Sequence, residues 1–237
     1  MKMGKAKVSL LTNCLLVVIL LSVLSISLVP QDITATNSNS LIKPIYNGNR
    51  NEKNVSLMFN VYENTEVVNG IIDELEKRGL KATFFVGGCW ADDNGETLER
   101  MAKCGHEIAN HGYFHKDHKK LSYEDNCQEI RLTGAIVKAL SGVNPTLFAP
   151  PSGSFSDNTL IAASDLGYKV IMWSKDTIDW RDSDVSLIIK RATNGVTNGD
   201  LILMHPKPHS LKALPQILDY FEKIGLEQVK VSQNIIE

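Results

Sequence analysis

No two of the four cysteines form a C-x-x-C pair, and only Cys89, Cys104 and Cys127 lie outside the apolar N-terminal run. An odd number without paired spacing argues against a disulfide framework and against a thiolate zinc site, and the three read as small buried hydrophobes. No glycine-rich phosphate loop follows any apolar run, which argues against nucleotide binding. Basic residues form no patch either. The 25 Lys+Arg stand against 27 Asp+Glu, and Lys2, Lys5 and Lys7 all precede the first acid, Asp32. The body of the chain is therefore mildly acidic and carries no nucleic-acid footprint, which suits a neutral small molecule or polymer. No second lobe repeats the first, which disfavours a two-lobed solute-binding protein.

The chain of 237 residues divides by composition. Residues 1–30 hold three lysines and then an apolar run from Val8 to Val29, the pattern of a signal peptide or a membrane anchor. No small-x-small cleavage site follows, and Asn13 before Cys14 speaks against a lipid anchor. The expected location is outside the cell, at the outer face of the membrane or secreted. Residues 31–52 are a polar linker with a short lead-in around Ile45 and Tyr46, and residues 53–235 form one domain.

Within that domain one pattern recurs: an amphipathic helix ends in Gly, and an apolar strand starts one to three residues later. The stretches "ELEKRGLKATFFVGG", "RMAKCGHEIANHG" and "ASDLGYKVIMWS" are instances. Gly79, Gly105, Gly142, Gly167 and Gly225 stand where a helix C-terminus takes a left-handed residue. The runs "VSLMF", "ATFFV", "KVIMW" and "LILMH" lack polar alternation, as strands buried on both faces do. Six or seven such units predict an α/β fold, a distorted, TIM-like (β/α) barrel of about seven strands, with an open doubly wound sheet as the alternative.

Chemistry concentrates at the ends of those strands, where such barrels build their sites. His111 and His115 follow "HEIAN", ahead of a helix starting near Ser122 with Asp125 in a capping position. Asp176, Asp179 and Trp180 follow "KVIMWS", His205 follows "LILM", and the turn Pro150–Pro151–Ser152–Gly153 follows "TLF". An imidazole at the end of a fully apolar strand needs a hydrogen-bond partner, which an aspartate can supply. His118 with Asp117 reads as a solvated loop, His209 as surface, and His106, at the opposite end of its strand, as structural.

With these motifs, residues 53–235 resemble the polysaccharide deacetylase family, the NodB-homology domain of carbohydrate esterase family 4. The resemblance rests on His-x3-His at His111 and His115, Asp-x-x-Asp-Trp at Asp176, Asp179 and Trp180, and Leu-x-His at Leu203 and His205. It implies a divalent metal, zinc foremost, on His111 and His115, which would polarise an acetyl carbonyl and acidify water. It implies His205, oriented by Asp179, as general acid, and the Ser152 N–H facing the oxyanion. Pro151, Trp180 and Leu203 would bind substrate, with Trp180 and Leu203 walling the acetyl pocket. The implied activity is hydrolysis of acetyl groups on N-acetylated cell-wall polysaccharide, peptidoglycan or chitin-like. The implied partners are that glycan and, through the N-terminal segment, the membrane.

The pattern breaks at one strand. The family's Thr-Phe-Asp-Asp-Gly corresponds to "LMFNVYEN", so Asn60 stands for the general-base aspartate and Val61 for the metal-binding one. The Arg that pairs with the base is Ala149. Loss of both partners is coherent, because a buried Arg without its carboxylate is costly. A positioned base is worth roughly 10²–10⁴-fold in rate, and two histidines fall short of the three protein ligands usual for catalytic zinc. Glu63 is the candidate substitute carboxylate. Two hypotheses stay open: a working deacetylase, or a weak or inactive deacetylase-like domain that binds wall glycan or a partner. The wording "FAPPSGSF" and "DTIDW" resembles a degenerate, sporulation-associated branch of Gram-positive bacteria.

Overall fold

The computed structural model describes residues 42–235. The apolar N-terminal segment and the first half of the polar linker, residues 31–41, lie outside the described residues. No helix among the described residues is long and apolar enough to cross a membrane.

Among the described residues there are eight strands: β1 (Asn54–Val61), β2 (Thr83–Val86), β3 (Glu107–Asn110), β4 (Leu147–Phe148), β5 (Lys169–Val170), β6 (Lys175–Asp176), β7 (Asp200–Met204) and β8 (Glu227–Gln228). The helices are α1 (Thr65–Lys77), α2 (Gly88–Asp93), α3 (Gly95–Lys103), α4 (Tyr123–Ser141), α5 (Asp157–Asp165), α6 (Val185–Thr193), α7 (Pro208–Ile224) and α8 (Val231–Asn234). The strands run in the order β5-β4-β3-β2-β1-β7-β6, with β8 beside β1, and every strand pair is parallel. The expected curled parallel sheet is therefore present, a distorted (β/α) barrel.

Its closure differs from a plain βα repeat. β5 and β6 end the two edges of the sheet, yet only four residues, 171–174, separate them in the chain. That connection spans at most about 18 Å, so one stretch pairs first with β4 and then with β7 and draws the edges together. No helix fits between them. The lead-in segment lines this seam. Ile45 N–H donates to Val170 O at 2.8 Å, Ile45 O accepts from Met172 N–H at 2.7 Å, and Gly48 N–H donates to Gly199 O at 2.7 Å.

The pleat sorts the side chains of each strand. From β1 and β7, Leu57, Phe59, Val61, Ile202 and Met204 join the core under the helices, while Met58, Leu201 and Leu203 join a second core with Phe85, Ala109, Leu147 and Ala149. The first core is the wall–helix layer and the second is the barrel lumen. α8 enters the second through Val231, with Val231 N–H on Thr83 Oγ1 at 2.8 Å and Ser232 N–H on Glu107 Oε2 at 3.1 Å. The five predicted helix-ending glycines all have positive φ, 74° at Gly142 and 72° at Gly225. Ser122 caps α4 as expected, its Oγ accepting from Asp125 N–H at 3.0 Å.

His106 is structural, as the sequence reading has it. It is buried, and its Nδ1 accepts from Ala82 N–H at 3.2 Å while Nε2 finds no partner. Burial, helped by Lys81, pushes its pKa down to about 4. Burial moves His111, His115 and His118 the same way. A neutral buried imidazole binds fewer protons than its unfolded counterpart between about pH 6.5 and about pH 4. Stability is therefore full above that window and is lost as pH falls through it. The His106 share is on the order of 3 kcal/mol. Urea unfolding across the window is expected to show this slope, and His106→Asn to flatten it in part.

Candidate active site

The cleft opens at the C-terminal ends of the strands and encloses a cavity of about 320 Å³. Asn60, Tyr62, His111, His115, Ser152, Trp173, Asp176, Trp180, Leu203 and His205 line it. Eight of these ten come from the residues singled out in the sequence motifs. The strand pleat brings them together. On β1, Met58 faces the lumen, so Asn60 and Tyr62 do too, and Val61 faces the helix layer. On β7, Leu201, Leu203 and then His205 follow the same rule. Phe59 pairs with Met204, so Asn60 and His205 come next on neighbouring strands.

His205 is held by Asp179. Its Nδ1 lies 2.8 Å from Asp179 Oδ1, and its backbone N–H donates to Oδ2 at 2.8 Å. Ser210 Oγ donates to the same Oδ2 at 2.6 Å, and His209 Nε2 lies 2.7 Å from Asp179 O. Burial raises the Asp179 pKa, but the hydrogen bonds and charge of His205, with Ser210, outweigh it and hold the carboxyl below its usual range. A carboxylate on Nδ1 leaves Nε2 as the working nitrogen toward the cleft. His209 is thus a support for Asp179 rather than a free surface residue.

His111 is fully buried and its Nδ1 lies 2.7 Å from Ala149 O. A carbonyl only accepts, so Nδ1 carries the proton and Nε2 a bare lone pair. That Nε2 has no partner, and neither has Asn60 Oδ1. Burial first, and His115 second, push the His111 pKa well down. His115 sits 5.1 Å away between ring centroids, with φ 54°, a left-handed conformation unusual for a non-glycine residue.

The loop that carries His115 hangs on Glu129 of α4. This buried carboxylate accepts from Tyr113 N–H and Phe114 N–H through Oε2, each at 2.8 Å, and pairs with Lys116 Nζ through Oε1 at 3.1 Å. His118, expected in solvent, is instead fully buried, its Nδ1 2.7 Å from Asn126 Oδ1 and its ring 5.0 Å from that of Phe148. Among the described residues three further non-glycine residues have positive φ: Asn64, Ser152 and Ile178, at 57°, 56° and 55°. With His115 they follow β1, β3, β4 and β6, all at the cleft end.

Other expectations change. Pro151 is buried and does not line the cavity; it fixes the turn that presents Ser152. Glu63, the candidate substitute carboxylate, is not among the residues lining the cavity, and its Oε1 accepts from Lys207 Nζ. Tyr62 and Trp173 escaped the sequence reading. Tyr62 was legible as the next lumen-facing position after Asn60, and Trp173 carried no signal beyond its run. Trp180 is 53 % exposed at the rim.

The residues present do not fit a resident catalytic metal. Among the described residues no group of three or more His, Cys, Asp and Glu side chains is placed to hold an ion. His111 and His115 supply two donors, Asn60 at most a weak third, and Asp176 is turned to Ile178, whose N–H donates to its Oδ1 at 2.7 Å.

The polysaccharide deacetylase family profile matches residues 47–171. The chain is 34 % identical over 183 residues to the uncharacterized protein YlxY of Bacillus subtilis, covering 77 % of this chain and 57 % of YlxY. It is 34 % identical over 184 residues to the peptidoglycan-N-acetylmuramic acid deacetylase PdaC of the same organism, covering 77 % of this chain and 39 % of PdaC. It thus spans less than two thirds of either relative. The structure of BA3943, a CE4 family pseudoenzyme from Bacillus anthracis, matches with a TM-score of 0.80 at 31 % identity, over 82 % of this chain and 69 % of that one. A BA3943 mutant with restored enzymatic activity gives the same TM-score, 0.80.

Loss of the loop's anchor has a measurable cost. Glu129→Ala leaves two backbone N–H groups and Lys116 without their acceptor, and is expected to destabilise the fold by about 2 kcal/mol. Chemical denaturation measures this, and the His115 ring resonance is expected to broaden as the loop loosens.

Proposed function

The chain belongs to the polysaccharide deacetylase family, and from that premise we propose that its cleft binds N-acetylated cell-wall glycan with little or no turnover. Relatives in the family deacetylate peptidoglycan, and structural neighbours include a pseudoenzyme. One observation carries the reading. The side chain that β1 turns into the cleft next to His205 is the amide of Asn60, with its Oδ1 buried and unpaired. An amide takes no proton at neutral pH, and a positioned base contributes roughly 10²–10⁴-fold. The neighbouring Val61 is buried in the wall–helix core, and Glu63 is engaged by Lys207, so neither position offers the missing carboxylate.

What the residues do present suits sugar binding. Trp180 and Tyr62 offer aromatic faces, and the Asn60 amide lines the same cleft as a polar group. The Ser152 turn and the His205 Nε2 complete a cleft for an acetamido group. The N-terminal apolar segment supports a location on the outer face of the membrane, where such glycan lies.

A second reading, slow deacetylation, is favoured by the intact Asp179–His205–Ser210 network. Acetate release separates the two. With N-acetylglucosamine tetramer and with peptidoglycan, the full-length protein is expected to bind without releasing acetate above the protein-free rate. Trp180→Ala is expected to weaken binding roughly three- to ten-fold, measured by calorimetry. Acetate release that is lost in His205→Ala would establish the second reading instead.

A further inference from the structure

Tyr62 stands at the centre of the imidazole cluster. Its ring centroid is 4.2 Å from that of His115, 6.3 Å from His111 and 6.4 Å from His205. It is tilted by 42° on His115 and lies within 25° of the plane of His111. One six-membered ring thus touches or neighbours all three histidines of the cleft.

The state of His111 follows from that crowding. Its Nε2 lone pair is out of contact with both solvent and any donor, although the cleft lies alongside. The rings of His115 and Tyr62 stand beside that of His111, at 5.1 and 6.3 Å between centroids. An ion bridging two imidazoles must sit about 2.0–2.1 Å from each nitrogen and keep room for further ligands. A lone pair already out of contact with solvent, with those two rings beside it, has no such room open to it. Tyr62 itself is a poor anionic ligand in this setting, since burial, with Glu63 beside it, raises the phenol pKa.

We infer that Tyr62 sets the ligand class of the cleft: its ring keeps a divalent cation out of the His111–His115 corner and gives a sugar ring an aromatic face to stack on. The second half rests on the glycan-binding reading above; the first half stands without it. The bulk of the ring does the excluding and its aromaticity does the stacking, so two kinds of replacement separate them.

Co²⁺, followed by visible absorption and calorimetry, and N-acetylglucosamine tetramer are each titrated into the full-length protein and into Tyr62→Phe, Tyr62→Leu and Tyr62→Ala. Circular dichroism checks that each variant is folded. Wild type and Tyr62→Phe are expected to take up no Co²⁺ saturably and to bind the tetramer alike. Tyr62→Ala is expected to gain Co²⁺ affinity by at least about ten-fold and to lose tetramer affinity by about ten-fold, a change of tenfold in each dissociation constant. Tyr62→Leu keeps the bulk, and so is expected to exclude Co²⁺ while losing the tetramer; it carries the test if Tyr62→Ala does not fold. Wild type that binds Co²⁺ as tightly as Tyr62→Ala overturns the exclusion. Co²⁺ uptake by wild type that disappears in Tyr62→Phe overturns it too, by making the phenol a ligand. Unchanged tetramer affinity in both Tyr62→Ala and Tyr62→Leu overturns the stacking. Wild type that binds no tetramer sinks the glycan reading and the stacking with it, and the Co²⁺ comparison still decides the exclusion.

Discussion

A strand in a barrel wall has two faces, and successive side chains alternate between them. Everything in this cleft depends on that alternation at β1. With Phe59 in the wall–helix core and Met58 in the lumen, Asn60 and Tyr62 must enter the cleft and Val61 must leave it. The same rule aims Leu203 and His205 from β7 and His111 from the end of β3. A one-residue slip would exchange the two sets and bury imidazoles against apolar helices, so the apolar packing of the outer face fixes the chemistry of the inner one. Val61 belongs to that packing, with Val68 and Ile72 of α1 in the same core. A carboxylate at position 61 would face that apolar layer.

The loops above the wall carry the strain that the strands do not. Four non-glycine residues with left-handed φ, Asn64, His115, Ser152 and Ile178, each follow a strand at the cleft end. Such conformations cost of order 1–3 kcal/mol each and persist where the surroundings over-determine them. Those surroundings are visible here. Glu129 grips the His115 loop through two backbone N–H groups, Asp176 Oδ1 takes the N–H of Ile178, and Pro150 and Pro151 stiffen the turn before Ser152. Asp179, one residue after Ile178, is thereby placed where it can hold both the ring and the backbone of His205.

The parts of this arrangement that were legible in the sequence are those written locally. Apolar runs marked the strands, a glycine after each amphipathic stretch marked the helix ends, and the residues just past a strand marked the cleft, so His111, His115, Asp179 and His205 could be named together. What was not legible depends on distant neighbours. "KVIMWSKD" reads as one strand, and nothing within it says that its first half pairs with β4 and its second with β7. His118 stands among Asp117, Lys119 and Lys120 and so reads as solvated, yet its ring packs on Phe148 and its Nδ1 meets Asn126. Pro151 shares a turn with Ser152 but is buried and does not line the cavity. Tyr62 was within reach of the alternation argument, and motif comparison stopped one residue short of it.

The Asp179–His205 pair and the Asn60 amide differ in what holds them in the cleft. The Asp179–His205 pair is tied into the fold. Asp179 accepts the backbone N–H of His205 and the hydroxyl of Ser210 on α7, so its removal would unsettle two elements whether or not chemistry occurs. Asn60 has no such tie. Its Oδ1 is buried and unpaired, as is His111 Nε2, and a buried acceptor without a donor costs about 1–3 kcal/mol. The amide on β1 therefore stands in the cleft that Tyr62 and Trp180 line at a cost that no tie to the rest of the fold offsets, and it takes no proton at neutral pH.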